Sequence, residues 1–212
     1  MTSRGDVQAT LGFGVCNAGF HADGGAPVPV DVCGNLVNDL AGSVAVNSTG
    51  AIHSAESFDE WYRDTLGVSL SAAHSITLVR DLSGVYEYSD GAFYPIDGVL
   101  FGNEGDAHNY YFTYAITAQF EYKACRGQFI EFMGADDAWM FVDDVMAMDL
   151  GGVVPETEQV IELDRLGLQD GEVYDLRFFF AHRYLAPPAF HLRTNVELWS
   201  DAVVVAASFP CD

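Results

Sequence analysis

Basic residues are scarce in this chain. Its 212 residues hold nine Lys+Arg against 31 Asp+Glu, a formal net charge of −22. Sequence-independent binding to nucleic acid works by neutralising phosphates with Lys and Arg, so no nucleic-acid partner is expected. Anionic membrane surfaces are disfavoured on the same ground. No apolar run approaches the ~20 residues that a transmembrane helix needs, and no membrane insertion is expected. The first residues, Met1-Thr2-Ser3-Arg4-Gly5-Asp6, lack the apolar block of a secretory signal. Export would then require a sequence that begins after processing, or another route. The signatures of nucleophilic catalysis are missing too: there is no Gly-x-Ser-x-Gly elbow and no Cys beside a plausible His base. His21, His53, His74, His108 and His191 are scattered, which indicates no zinc site. An enzyme is not expected.

Cysteine is sparse but even in number. Cys16, Cys33, Cys125 and Cys211 match no zinc-ribbon spacing and allow three pairings. The favoured one joins Cys16 to Cys33 across a Gly/Pro-rich loop and Cys125 to Cys211 at the C-terminal tail. The alternative is four reduced, buried thiols. Asn47-Ser48-Thr49 is a glycosylation sequon, a triplet also common by chance. Arg4-Gly5-Asp6 is read as an accidental tripeptide rather than an integrin ligand.

What the chain does have is apolar and aromatic material, 50% and 13% of its residues. That argues against disorder and allows one large β domain or two small ones. The acid is spread along the sequence rather than gathered in a tail, as on a solvated surface. Alternation with period two dominates. Phe112, Tyr114, Ile116, Ala118, Phe120 and Tyr122 alternate with polar residues, which predicts a long strand with one face in the core. Phe190 to Leu198 alternates likewise. Tyr174, Leu176, Phe178 and Phe180 are joined on the second face by Phe179 and Ala181, so that strand should lie centrally, covered on both sides. Shorter strands are expected at 75–80, 85–88, 128–133, 138–142, 145–149, 160–163 and 202–208. The one helix signal is the capping box at Ser57-Phe58-Asp59-Glu60, predicting a short flanking helix over 58–64. The expectation is an all-β antiparallel sandwich or barrel.

One stretch carries chemistry: Gly134-Ala135-Asp136-Asp137-Ala138-Trp139-Met140-Phe141-Val142-Asp143-Asp144, with Asp149-Leu150-Gly151-Gly152 after it. Adjacent carboxylates repel unless something positive or water lies between them. Asp136-Asp137 at a strand entrance is therefore either a solvated loop or one wall of a hard-cation site. Asp143-Asp144 reads as a hairpin turn, since Asp tolerates positive φ. Trp139 and Phe141 lie on one side of the strand, and core packing is the default for such a pair.

These pieces, with Phe58-Asp59-Glu60-Trp61-Tyr62-Arg63-Asp64, Phe93-Tyr94-Pro95-Ile96-Asp97-Gly98, His108-Asn109-Tyr110-Tyr111-Phe112-Thr113-Tyr114, Leu163-Asp164-Arg165-Leu166-Gly167-Leu168 and Phe179-Phe180-Ala181-His182-Arg183, resemble the fibro-slime domain. That domain is a branch of the β-sandwich superfamily named after the anthrax protective antigen. The resemblance follows the family's order over roughly two thirds of the chain. It divides the chain into an N-terminal extension or edge strands at 1–52, the domain at 53–199, and a C-terminal strand and tail at 200–212.

The resemblance implies an extracellular or surface-displayed, non-enzymatic module, whose partner is a glycan or glycoprotein surface. In relatives a calcium ion, held by two consecutive Asp joined by a cis peptide, binds sugar hydroxyls. If the metal pair is the second and third of the family's three acids, Asp136 and Asp137 are the corresponding metal residues; if it is the first and second, Ala135 has removed one ligand. His182 and Tyr184 are the candidate ligand-binding residues, and Arg183 is expected to pair structurally with one of the acids. This sequence departs from the pattern where three acids follow the glycine, for the first is Ala135. It departs again at His182, which replaces an acid, and at Pro187-Pro188-Ala189 in the second loop. Two functions follow: a calcium-assisted carbohydrate-binding or adhesive module, or a structural subunit of an extracellular fibre, sheath or virion surface. In the second, copies of the chain or other subunits are the partners and the sugar site has decayed.

Overall fold

Long alternating segments with no helical period leave the chain one way to bury its apolar faces, sheet against sheet. The computed structural model describes residues 58, 60–103, 105–152, 154–183 and 185–200, and the backbone of 204–208. They form two packed antiparallel sheets, a β-sandwich. The strands are β1 (Leu70–His74), β2 (Val79–Arg80), β3 (Tyr86–Asp90), β4 (Tyr111–Glu121), β5 (Phe129–Gly134), β6 (Asp137–Val142), β7 (Val145–Leu150), β8 (Thr157–Glu162), β9 (Val173–Arg183), β10 (Phe190–Thr194) and β11 (Val204–Ser208). The larger sheet runs β1-β11-β4-β9-β6-β7 and the smaller β2-β3-β10-β5-β8. No helix among the described residues is long and apolar enough to cross a membrane.

The main core follows from period two. Phe112, Tyr114, Ile116, Ala118 and Phe120 of β4 meet Phe178 and Phe180 of β9 and Phe132 and Phe190 of the smaller sheet. β9 lies between β4 and β6, the central position its two apolar faces require. Its second face is covered by a smaller cluster outside the sandwich, in which Phe179 and Ala181 pack with Phe58, Trp61, Tyr62, Trp139 and Phe141. Trp139 and Phe141 are core residues, of this outer cluster.

Three expectations are corrected. Phe58 is helical, but residues 60–63 continue as turns, closed by Trp61 N–H to Phe58 O at 3.2 Å and Arg63 N–H to Glu60 O at 3.3 Å. Both bonds run from i to i−3, as in successive turns, where an α-helix would close with i→i−4 bonds. The carbonyls of Trp61 and Arg63 accept the hydroxyls of Thr113 and Ser69. Of the strand expected over 75–80 only β2 (Val79–Arg80) forms; residues 75–78 carry the chain across from β1 in the larger sheet to β2 in the smaller. The strand from Phe190 ends at Thr194, whose hydroxyl accepts Val196 N–H at 3.0 Å and donates to Phe129 O at 2.6 Å. From there the chain returns to the larger sheet, where Trp199 bridges to Gln119.

The registers gather four loops at one end. Asp90, Phe190, Gly134 and Thr157 align across the smaller sheet. In the larger one, Tyr111 faces Arg183 and Asp137 faces Ala181. The connections 91–110, 135–136, 151–156 and 184–189 therefore share this end. The shortest, Ala135-Asp136, carries the chain from one sheet to the other.

Candidate functional site

Asp136 and Asp137 are not a solvated loop. They are 2% and 1% exposed: Asp136, on the crossover, lies against the buried His182, and Asp137 is covered on the outer face of the larger sheet by Arg183. Asp136 has a φ of 68°, the left-handed conformation that Asp tolerates. The peptide joining the pair is trans, as are all described peptide bonds.

Period two explains their partners. Asp137 faces Ala181 on β9, and Arg183 lies two residues on, on the same outer face. Its guanidinium reaches back, placing Nε 2.8 Å and Nη2 2.7 Å from Asp137 Oδ2. It also lies over the Trp61 ring, 4.8 Å from the centroid. Asp137 Oδ1 accepts Gly152 N–H at 2.5 Å. Asp136 Oδ2 accepts Arg183 N–H at 2.9 Å. Burial pushes both carboxyls above their ordinary values, and Arg183 pulls against it in each case. The structural pairing expected of Arg183 is present, and it falls on Asp137.

This arrangement does not fit calcium. A hard dication takes six to eight oxygens, whereas Asp137 Oδ2 is taken up by the positively charged Arg183 and Oδ1 accepts Gly152 N–H. A guanidinium stands where the cation would bind, and no three His, Cys, Asp or Glu among the described residues are grouped to hold a metal. Asp149, on β7, is fully buried, and its Oδ1 accepts Gly151 N–H at 2.9 Å. Asp143 makes the β6–β7 hairpin with a φ of 51°, and Asp144 Oδ1 pairs with Arg177 Nη2 at 2.5 Å. These last two acids are structural.

His182 is corrected as a ligand-binding residue. It shares the parity of Phe178 and Phe180 and is 1% exposed. Its Nδ1 donates to Tyr110 O at 2.7 Å, its ring stacks on Phe112, and Nε2 lies 3.6 Å from Asp136 Oδ2. Burial pushes its pKa down to about 4, against the Tyr110 hydrogen bond. Tyr184, Asn47, Cys16, Cys33 and Cys211 lie outside the described residues. Cys125, at a φ of 58°, is not a free thiol; both proposed pairings involve cysteines outside the described set.

The solvent-facing chemistry at this end comes from the 91–110 loop, which the sequence marked only as part of the resemblance. The rings of Tyr94 and His108 are parallel, 7° apart with centroids separated by 4.0 Å. Tyr110 stands edge-on to both, at 89°. His108 Nδ1 is 2.5 Å from Asp97 Oδ2, and Asp97 Oδ1 accepts Asn109 N–H at 2.7 Å. Asn109, itself buried, fixes the loop by donating to Gly102 O and accepting Tyr111 N–H. A bond from Phe93 N–H to Pro188 O, 2.9 Å, ties this loop to the β9–β10 connection.

Comparison with known proteins gives similarity to a set of proteins from Dictyostelium discoideum. Protein psiQ is 34% identical over 179 residues, 77% of this chain and 18% of psiQ. Protein psiC is 30% identical over 185 residues, 82% of this chain and 34% of psiC. Protein psiD is 29% identical over 197 residues, 89% of this chain and 37% of psiD. The chain thus spans well under half the length of these relatives. No protein-family model matches it, and no solved structure does.

Proposed function

We propose that this chain is a non-enzymatic recognition module of an extracellular surface, binding carbohydrate or a glycoprotein through the four-loop end of its sandwich. The observation that carries this reading is the half-buried aromatic corner of Tyr94, His108 and Tyr110, held by Asp97 on a loop that the fold fixes. Binding sites favour rigid scaffolds that present loops in this way. The fibro-slime resemblance supports the same class of partner. The misfit at Asp136 and Asp137 supports recognition without calcium. A glycan array probed with the whole chain, with and without chelator, tests it. Chelator-resistant binding is the expected result, and an array without any bound glycan would remove the reading.

The second reading is a structural subunit of an extracellular fibre, sheath or virion surface. One observation favours it: the acid pair is closed off by Arg183 and Gly152, as expected of a sugar site that has decayed. A native mass above that of one chain, combined with a blank glycan array, would select it.

A further inference from the structure

We propose that Tyr94, Asp97, His108 and Tyr110 form a calcium-independent site for the pyranose ring of a neutral sugar. The inference rests on the recognition reading above and names its site and ligand class.

Geometry comes first. The parallel Tyr94–His108 pair and the perpendicular Tyr110 make a right-angled aromatic corner. One side of a pyranose is a patch of C–H groups and its rim is hydroxyls. Such a ring packs its apolar patch on an aromatic surface and leaves its rim to polar groups at the edge. Val99 and Phe101, 47% and 39% exposed, lie on the same loop.

The polar groups suit that rim. The side chains of His108 and Asp97 are 43% and 34% exposed. Each Asp97 oxygen is engaged once, by His108 or by Asn109 N–H, and a carboxylate oxygen has a second lone pair for a sugar hydroxyl. With Nδ1 turned to Asp97, His108 Nε2 has no protein hydrogen-bond partner among the described residues. Burial and a hydrogen bond to Tyr110 push the Tyr94 hydroxyl up to about 12, so it stays un-ionised and meets the rim as an acceptor.

A purely structural role accounts for less. Closing the loop needs Asp97 and Asn109, whose hydrogen bonds are internal. It does not need an imidazole held flat on Tyr94 and partly open to solvent. Because Asn103 and Asn109 already fix the backbone, binding would spend little free energy on ordering the loop. Charge selects the class of sugar. A net charge of −22 and the Asp97 carboxylate repel uronic, sialylated and sulfated sugars, and leave neutral ones.

The test is a titration of the whole chain, in EDTA, with methyl glucopyranoside, methyl galactopyranoside and methyl mannopyranoside, followed through the aromatic NMR resonances. At least one sugar should shift the Tyr94 and His108 ring signals saturably. His108→Ala should weaken that sugar about tenfold, equivalent to ~1.4 kcal/mol, without lowering the melting temperature. Asp97→Asn, which keeps an acceptor for Asn109 N–H, should weaken it as well and serves if His108→Ala does not fold. Sugar binding that leaves these rings unshifted, needs calcium, or is unchanged in both variants would overturn the site and leave the recognition reading standing. Binding restricted to anionic sugars would overturn the ligand class. No response to any of the three methyl pyranosides, with glycans still bound on the array, would overturn the site; a blank array as well would overturn both.

Discussion

Arg183 meets Asp137 through a single carboxylate oxygen: Nε and Nη2 both converge on Oδ2, at 2.8 and 2.7 Å. Oδ1 is left to the backbone of Gly152. With the Arg183 and Asp137 side chains 11% and 1% exposed, neither charge has water to fall back on. Removing one member strands the other. Arg183→Met should therefore cost about 3–5 kcal/mol, the range for breaking a buried ion pair from one side. The double variant Arg183→Met/Asp137→Asn should recover much of that loss. Urea unfolding of the three proteins decides it; a cost below ~1 kcal/mol for Arg183→Met would mean the pair contributes little.

Calcium should leave the melting temperature unchanged. A ligand that binds only the folded state stabilises it, and here the guanidinium already occupies the place of the cation. Thermal melts in calcium chloride and in EDTA should superimpose. A rise in calcium that disappears in Asp136→Asn would restore the metal reading.

His182 should make the protein acid-sensitive. Its folded value, about 4, lies below the ordinary 6.5, chiefly through burial. Between those values the unfolded chain binds more protons than the folded one. The stability from this group is thus complete above about 6.5 and is lost as pH falls towards 4. A shift of roughly 2.5 units at ~1.4 kcal/mol each amounts to about 3 kcal/mol. Asp136 acts in the opposite sense, since its raised value makes the fold bind a proton more readily as pH falls. Comparison with His182→Asn isolates the histidine: between about pH 7 and pH 4 the wild type should lose roughly 3 kcal/mol more than the variant. Parallel pH profiles would count against a neutral buried imidazole.

Thr113 joins the outer cluster to the larger sheet through its hydroxyl, which donates to Trp61 O at 2.6 Å. Thr113→Val keeps the shape and β preference but leaves that buried carbonyl without its donor. A loss of about 1–3 kcal/mol is expected, with enhanced proteolysis around residues 60–69. Unchanged stability and cleavage would show that the flank is held by its rings alone.

The cysteine pairings Cys16–Cys33 and Cys125–Cys211 are tested by alkylating unreduced protein and measuring its intact mass. No added alkyl groups are expected before reduction and four afterwards. Alkylation of all four without reductant would rule the disulfides out. Peptide mapping then assigns the partners.

The sandwich was legible because its longest strands alternate cleanly. The even positions from Phe112 to Phe120 fill the core, and the double-faced apolar run around Phe179 lies between two neighbours. Parity also held a signal for His182, which continues the series Leu176, Phe178, Phe180, although its loop-border position suggested a ligand contact. The state of Asp137 could not be read in the same way. It depends on the register that sets it opposite Ala181, and register comes from tertiary pairing rather than from residue types. The Tyr94–His108 corner was hidden for a related reason: its rings are fourteen positions apart in sequence and meet only because Asp97 and Asn109 close the loop.

β11 sits inside the larger sheet rather than at its margin, with β1 on one side and β4 on the other. His74 pairs with Val204, and Val205 with Ala115. During synthesis β1 leaves the ribosome well before β11, its neighbour among the described strands. The flank of β4 stays open for the same interval. Contacts so distant in sequence slow folding and leave unpaired strand edges exposed meanwhile. The nascent chain therefore passes through a stage with a gap in its sheet, when a chaperone or a strand from another molecule competes for the place that β11 will take.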